Sequence, residues 1–257
     1  MPAKVDDRFT LFEHLDELRK RLMWSLIALA VGVLVAAVFN SIVFDLLLYP
    51  LKQVTGLDPA AYKLTTFSPA EPFMTSLKIW VVVGVMLAAP ILIWQMWAYV
   101  GPAFSSTEKR YFYPVVIATT GLFLGGVVFG YLIVLPKGLQ FLLGFGSGNF
   151  NIQNRASDYF TFVALFVLAF GAVFEMPVVL VLLAKVGVID DRFLRKHRRY
   201  AILICAIVAA VITPSQDAFS MLAMFIPLAR VVQPKREADA GGEHVDDDPD
   251  DLSRAPA

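Results

Sequence analysis

The sequence predicts an all-α polytopic membrane protein with six transmembrane helices and both termini in the cytoplasm. Three observations predict this fold class. Hydrophobic residues make up 58% of the chain and charged residues only 17%, whereas soluble domains average about 25% charged residues. Six apolar runs are separated by segments rich in charge, proline, glycine and serine. Finally, 17 of the 22 lysines and arginines fall on one predicted face of the membrane, which the positive-inside rule identifies as cytoplasmic.

The apolar runs give the predicted boundaries. Residues 1–21 form a cytoplasmic amphipathic segment, and residues 233–257 form a disordered acidic cytoplasmic tail, because eight of the 22 acids follow Pro234 with few large apolar residues among them. Six predicted spans lie between these segments, at about 22–44, 73–100, 113–135, 159–184, 200–212 and 218–232.

The second and the last two spans have distinctive ends. In "SPAE" (68–71), Ser68 is the predicted N-cap of the second helix, Pro69 its first residue and Glu71 the partner in a capping box, so this helix begins outside the bilayer. The last two runs reach only about 20 and 22 Å, against a hydrocarbon core near 30 Å. Either the bilayer thins there, or the turn at 213–217 lies below the outer surface, or the boundaries extend a few residues further.

Catalysis is not predicted. The three histidines fall in predicted cytoplasmic segments, no H-E-x-x-H motif occurs, and "GFGSGN" (144–149) lacks the glycines of a serine nucleophile elbow. The single cysteine, Cys205, provides neither a disulfide framework nor a thiolate cluster. We expect no cofactor, no metal and no nucleic-acid partner.

Two cytoplasmic acids are candidate ligands for a cationic peptide, because guanidinium binds carboxylate in a bidentate geometry. Glu17 lies in "HLDELRKR" (14–21), on a segment whose leucines repeat at helical spacing. The alternative role for Glu17 is an i,i+4 pair with Arg21, like that of Asp16 with Lys20. Glu108 lies in "SSTEKR" (105–110), where it could instead complete a capping box with Ser105.

A third acid, Glu175, lies inside the apolar stretch "FVLAFGAVFEMPVVLVLLAK" (166–185). It is ten residues, or about 15 Å, from Lys185, which predicts a position near half depth. Pro177 cannot donate to the carbonyl of Val173, so we expect a kink beside the acid. A charged carboxylate at that depth costs several kcal/mol, which favours its neutral form. The acid is satisfied inside the bundle, by a threonine or the freed carbonyl, or it faces a groove open to lipid.

An ordered set of motifs resembles one family. "HLDELRKR", "SPAEPFMTSLK", "WAYVGPAFSSTEKR", "FGAVFEMP", "HRRYAIL" and "TPSQDAFSM" occur in this order over about residues 9 to 228. This set strongly resembles TatC, the core subunit of the twin-arginine protein translocase of the bacterial cytoplasmic (inner) membrane. The resemblance implies a concave, glove-like bundle that recognises signal peptides with a consecutive arginine pair and exports folded proteins, driven by the proton motive force.

The resemblance also implies roles for individual residues. Glu17 and Glu108 would form the twin-arginine site, supported by Leu15, Arg19 and Arg110. Glu175 and Pro177 would contact the helices of the single-span partners TatB and TatA, and self-association is expected. The partner contact would extend to the turn residues Thr213, Pro214 and Asp217, with Pro50 and Lys78 as secondary positions. For Lys78 the alternative is a side chain that reaches the outer interface along apolar surface.

One feature departs from the family pattern, and two other functions stay open. The segment "IPLARVVQPKREAD" (226–239) becomes charged after Leu228, which predicts a shortened sixth helix. A secondary transporter would also place an acid such as Glu175 at depth, but the sequence shows no repeated halves with matching broken helices. A proton pathway would require several stacked polar groups, whereas the third and fourth spans offer only Glu175 and scattered threonines.

Overall fold

The computed structural model describes residues 11–55, 64–101, 112–145 and 154–179, together with 221–222 and 225. The acidic tail, nearly all of the two short predicted spans and the turn at 213–217 lie outside these residues, so the number of six spans stays a prediction. In the described residues the secondary structure is helical apart from a single parallel bridge between Thr65 and Arg155.

The described elements follow one another as six α-helices and one π-helical segment. They are α1 (Leu11–Val38), α2 (Asn40–Thr55), α3 (Glu71–Val100), α4 (Phe112–Phe129), the π segment (Gly130–Val134), α5 (Leu135–Gly144) and α6 (Ala156–Phe174). After α6 comes a turn at Glu175 and a further helical turn at 176–179.

Four stretches are long and apolar enough to cross a membrane, which confirms a multi-pass, α-helical membrane protein. They are Glu13–Val38, Glu71–Val100, Phe112–Gly144 and Ala156–Val179. Their bounds differ from the predicted ones in two places. The amphipathic segment is continuous with the first span, which ends at Val38 rather than at 44, and α2 follows as a separate helix. The third span continues past 135, because the π segment joins α4 to α5 without a break.

The helix ends define two faces. The ring of His14, near the start of α1, stacks on Tyr99, near the end of α3, with ring centroids 4.5 Å apart. We call this side the N-terminal face. On the opposite face, the N–H of Thr65 donates to the carbonyl of Asn154 (3.1 Å) and the N–H of Ala156 donates to the carbonyl of Thr65 (2.9 Å). The starts of α3 and α6 are thereby held near each other.

Glycines bring the spans into close contact. A Cβ on Gly84 of α3 would lie 2.7 Å from the backbone nitrogen of Val33 in α1. In the same way, a Cβ on Gly130 would lie 2.7 Å from the Cβ of Phe170 in α6. Because lipid is as apolar as leucine, membrane helices gain affinity from such close backbone packing rather than from burial of apolar surface. The main core cluster forms around Phe166 and Phe170 of α6, both fully buried.

Candidate functional site

Glu17 lies on the N-terminal face and is held by an arginine of its own helix. The Arg21 Nε and Nη2 atoms both donate to Glu17 Oε1, at 3.0 and 2.5 Å. Four residues apart, the two side chains lie on one face of α1. Arg21 Nη1 also donates to Oε1 of Gln95 in α3, at 3.4 Å. The i,i+4 pair predicted as the alternative role of Glu17 is therefore present, with α3 as a further support for Arg21.

The Glu17–Arg21 pair is less exposed to solvent than the neighbouring Asp16–Lys20 pair. The side chains of Glu17 and Arg21 are only 24% and 25% exposed, whereas those of Asp16 and Lys20, which pair at 3.4 Å, are 60% and 75% exposed. Leu15 and Arg19 are exposed. Glu17 thus differs from its neighbour Asp16 in being a partly desolvated carboxylate beside accessible apolar surface, where a charge-assisted hydrogen bond is stronger than in open water.

The other predicted members of the twin-arginine site lie outside the described residues. Glu108 and Arg110 fall between Gly101 and Phe112, the described residues on either side. Trp94 of α3 and Phe112 of α4 pack edge to face, with ring centroids 5.6 Å apart. The end of α3 and the start of α4 therefore meet at the N-terminal face, the same face as Glu17.

Glu175 interrupts its helix. The structure has a turn at this residue, where the N–H of Glu175 donates to the carbonyl of Ala172 (3.2 Å) and the N–H groups of Val178 and Val179 both lie 3.0 Å from the carbonyl of Glu175. The helix is thus interrupted two residues before Pro177, while the expected kink stays a prediction. Glu175 Oε1 is buried and has no hydrogen-bond partner among the described residues.

Glu175 lies far from the start of its helix. Helix α6 begins at Ala156, and the 19 residues from there to Glu175 span about 28 Å. Val178, just beyond the acid, packs against a cluster that contains Trp97, near the end of α3. Within the described part of the span, Glu175 therefore lies toward the N-terminal face. Its half-depth position in the membrane stays a prediction, because Lys185, from which it was counted, lies outside the described residues.

The structure also shows an ion pair on the opposite face that sequence reasoning missed. Arg155 Nε and Nη2 donate to Oε1 and Oε2 of Glu71, at 2.8 and 3.1 Å. The hydrogen bond to Glu71 raises the pKa of Arg155 further above its usual range. The expected N-cap is wrong, because Ala70, not Ser68, precedes the helix, and Glu71 Oε2 accepts from the N–H of Phe67 at 3.0 Å. The only signal in the sequence for the Glu71–Arg155 ion pair was that both residues border predicted spans on the same predicted face of the membrane.

The two secondary positions have different surroundings. Pro50 is fully buried within α2 and cannot donate to the carbonyl of Leu46, four residues earlier. The hydroxyl of Tyr131, in the π segment, donates to this carbonyl at 2.7 Å. Pro50 is thus part of the packing between α2 and the third span. Lys78, in the first third of α3, is exposed.

The remaining predicted positions, Thr213, Pro214 and Asp217, lie outside the described residues. The part of the chain that the structure describes contains no group of three or more His, Cys, Asp or Glu residues that could hold a metal ion.

Comparisons with known proteins all indicate one family. The family model described as Sec-independent protein translocase protein (TatC) matches residues 13–227. Two similar relatives are both named Sec-independent protein translocase protein TatC. The protein from Desulforapulum autotrophicum is 39% identical, and the match covers 92% of this chain and 90% of the relative. The protein from Aquifex aeolicus is 41% identical, and the match covers 85% of this chain and 89% of the relative. A crystal structure of the twin arginine translocase receptor TatC in DDM matches with a TM-score of 0.74 and 39% identity, covering 85% of this chain and 96% of that one.

Proposed function

The chain belongs to the TatC family of Sec-independent protein translocase proteins, and on this premise we propose that its N-terminal face binds signal peptides that carry a consecutive arginine pair. The protein is a membrane-embedded translocase component and not an enzyme. The proposal assigns Glu17 and Glu108 to the two arginines, with Leu15, Arg19 and Arg110 nearby. In this account the N-terminal face is cytoplasmic, as the distribution of lysine and arginine predicts.

One observation carries the proposal: the Glu17 carboxylate already holds a guanidinium. Arg21 donates to it from two nitrogens, in partly desolvated surroundings. An arginine of a signal peptide would form the same bonds after replacing Arg21. Displacing Arg21 costs little free energy, because an i,i+4 ion pair on a helix contributes only about 0.2–0.5 kcal/mol to stability. Gln95 provides Arg21 with an acceptor that remains when the peptide has taken Glu17.

A second part of the proposal concerns partner subunits. We assign Glu175 and Pro177 to contacts with the helices of TatB and TatA, together with Thr213, Pro214 and Asp217. The support is that Glu175 Oε1 is buried without a hydrogen-bond partner among the described residues, and that the turn at this residue interrupts the regular helix surface. As a neutral acid, Glu175 would donate a hydrogen bond to a polar group on a partner helix. Export of folded cargo across the bacterial inner membrane by the proton motive force completes the proposal.

The test is photocrosslinking of a labelled twin-arginine signal peptide to the full-length protein in inverted membrane vesicles. We expect the Glu17→Ala/Glu108→Ala double variant to lose most of the crosslink while inserting normally. Asp16→Asn is the matched control, because its carboxylate lies beside Glu17 but pairs with Lys20 in solvent. Equal crosslinking of the double variant and the wild type would refute the assignment of the site.

A further inference from the structure

A groove of about 390 Å³ lies between the first halves of α3 and α6. Its floor contains Ile79 and Ala164, which are 0% and 1% exposed. Its rims contain Leu77, Val81 and Leu165, which are between 37% and 49% exposed. The volume is within the range of about 300–1,000 Å³ typical of sites that bind small organic molecules.

Lys78 lines the same groove and is the only charged side chain among the described residues that line it. It lies seven residues after Glu71, the first residue of α3, or about 10 Å along the helix axis. The 30 residues of α3 extend about 45 Å, which exceeds the hydrocarbon core by about 7 Å at each end. Lys78 therefore lies just below the boundary of the core, and its four-carbon stem allows the ammonium group to reach the headgroup layer.

No described residue neutralises the charge of Lys78. Within the described ranges, Lys78 forms no ion pair or hydrogen bond, and the acid nearest to it along α3, Glu71, is engaged by Arg155 at 2.8 Å. The groove thus combines a mostly aliphatic lining, with Thr161 as its one hydroxyl among the described residues, and a cation at headgroup depth that no described residue pairs.

We propose that this groove binds one anionic phospholipid, with an acyl chain along Ile79 and Ala164 and the headgroup phosphate at Lys78 Nζ. The shape favours a lipid over a partner helix. A helix is about 10–12 Å across and packs closely where small residues flatten the surface, whereas branched side chains of Leu77, Val81 and Leu165 stand on both rims. The charge favours an anionic headgroup, since a zwitterionic headgroup would place its own ammonium group beside Lys78.

A lipid in this position bridges the two helices whose starts are joined by the ion pair between Glu71, the first residue of α3, and Arg155, the residue before α6. The lipid would cover the apolar groove between α3 and α6, which lies on the membrane side of the Glu71–Arg155 ion pair. The proposal depends only on α3 and α6 and does not depend on the twin-arginine site.

The test is native mass spectrometry of the full-length protein released from detergent micelles. Phosphatidylglycerol and phosphatidylcholine with identical acyl chains are titrated in parallel, and glycerol phosphate provides the headgroup chemistry without an acyl chain. We expect a first phosphatidylglycerol to bind about fivefold more tightly than phosphatidylcholine, the factor typical of one basic residue at an anionic surface. Lys78→Gln should remove this preference, and glycerol phosphate should not bind.

Lys137→Gln is the matched control, because Lys137 is an exposed lysine of α5 that does not line the groove. It should keep the wild-type preference for phosphatidylglycerol. The proposal is overturned if Lys78→Gln retains that preference, if both lipids bind equally to the wild type, or if glycerol phosphate binds as well as the lipid. A crosslink from position 78 to a partner subunit that excludes phosphatidylglycerol would also overturn it.

Discussion

At the scale of single residues, Glu17 and Arg21 form the contact most relevant to ligand binding. The partly buried carboxylate is paired in the free protein, so under the proposed function a peptide arginine would compete with an internal arginine for the same oxygen atom. This arrangement keeps the acid from remaining desolvated and unpaired, which would cost free energy.

Substitution of Arg21 tests this competition. We expect Arg21→Gln to strengthen binding of a twin-arginine peptide about twofold, because the energy of the i,i+4 pair no longer opposes the exchange. Fluorescence anisotropy of a labelled peptide with the protein in nanodiscs measures the change. Lys20→Gln removes the same charge from the pair formed with Asp16 and should leave the affinity nearly unchanged. Weaker binding to Arg21→Gln would mean that Arg21 positions Glu17 instead of competing for it.

Some residue contacts could be predicted from the sequence and others could not. The Glu17–Arg21 pair follows from a spacing of four on a helix, which is local information. The Glu71–Arg155 pair joins residues 84 apart, and no spacing rule predicts which of several interfacial charges meet. The depth of Glu175 in the membrane depends on where both ends of its span lie, and apolar runs locate such boundaries only to within several residues.

At the scale of elements, the contact between α1 and α3 depends on the absence of a side chain. We expect Gly84→Ala to destabilise the protein by about 1–3 kcal/mol, because the added methyl group overlaps the backbone of Val33. Gly125→Ala is the control, since a Cβ there meets nothing within 4 Å. Reversible unfolding in mixed micelles compares the two variants. Equal stability would contradict the tight contact.

A second prediction concerns the joint between α2 and the π segment. We expect Tyr131→Phe to cost about 1 kcal/mol of stability, because the carbonyl of Leu46 loses its donor. In a Pro50→Ala background the new backbone N–H can bond that carbonyl, so the same substitution should cost less. The same unfolding assay measures the difference between the two backgrounds. An undiminished cost in the Pro50→Ala background would mean that Tyr131 acts through another contact.

The sequence predicts the spans better than their interruptions. Long apolar runs identify the four candidate spans, because a stretch of that length is needed to cross the core. The break after Val38 is not predicted, because Asn40 and Ser41 are isolated polar residues within an otherwise apolar run, and residues 38–44 contain no proline or glycine. The π segment is likewise not indicated by any sequence signal. The segment begins where Gly130 packs against Phe170 of another helix, a contact that local sequence does not reveal.

At the scale of the whole molecule, Glu17 and Glu175 lie toward the same face, so the proposed peptide site and the proposed partner site share one side of the protein. We expect Glu175→Gln to keep most of the binding to TatB, because an amide can still donate a hydrogen bond, and Glu175→Leu to weaken it. Site-specific crosslinking in membranes measures the binding. Ala172→Leu, at an exposed position of the same helix, should have little effect. Equal loss in Gln and Leu variants would indicate that a negative charge is required.

The central claim is that carboxylates of the N-terminal face bind the arginine pair, and a charge swap tests it most directly. Affinity is measured for wild-type protein and Glu17→Arg, each with a twin-arginine peptide and a peptide in which one arginine is replaced by glutamate. We predict that Glu17→Arg binds the twin-arginine peptide at least tenfold more weakly, and that the glutamate peptide partly restores binding to this variant alone. Unchanged affinity of Glu17→Arg for the twin-arginine peptide, or no recovery with the glutamate peptide, would contradict the claim.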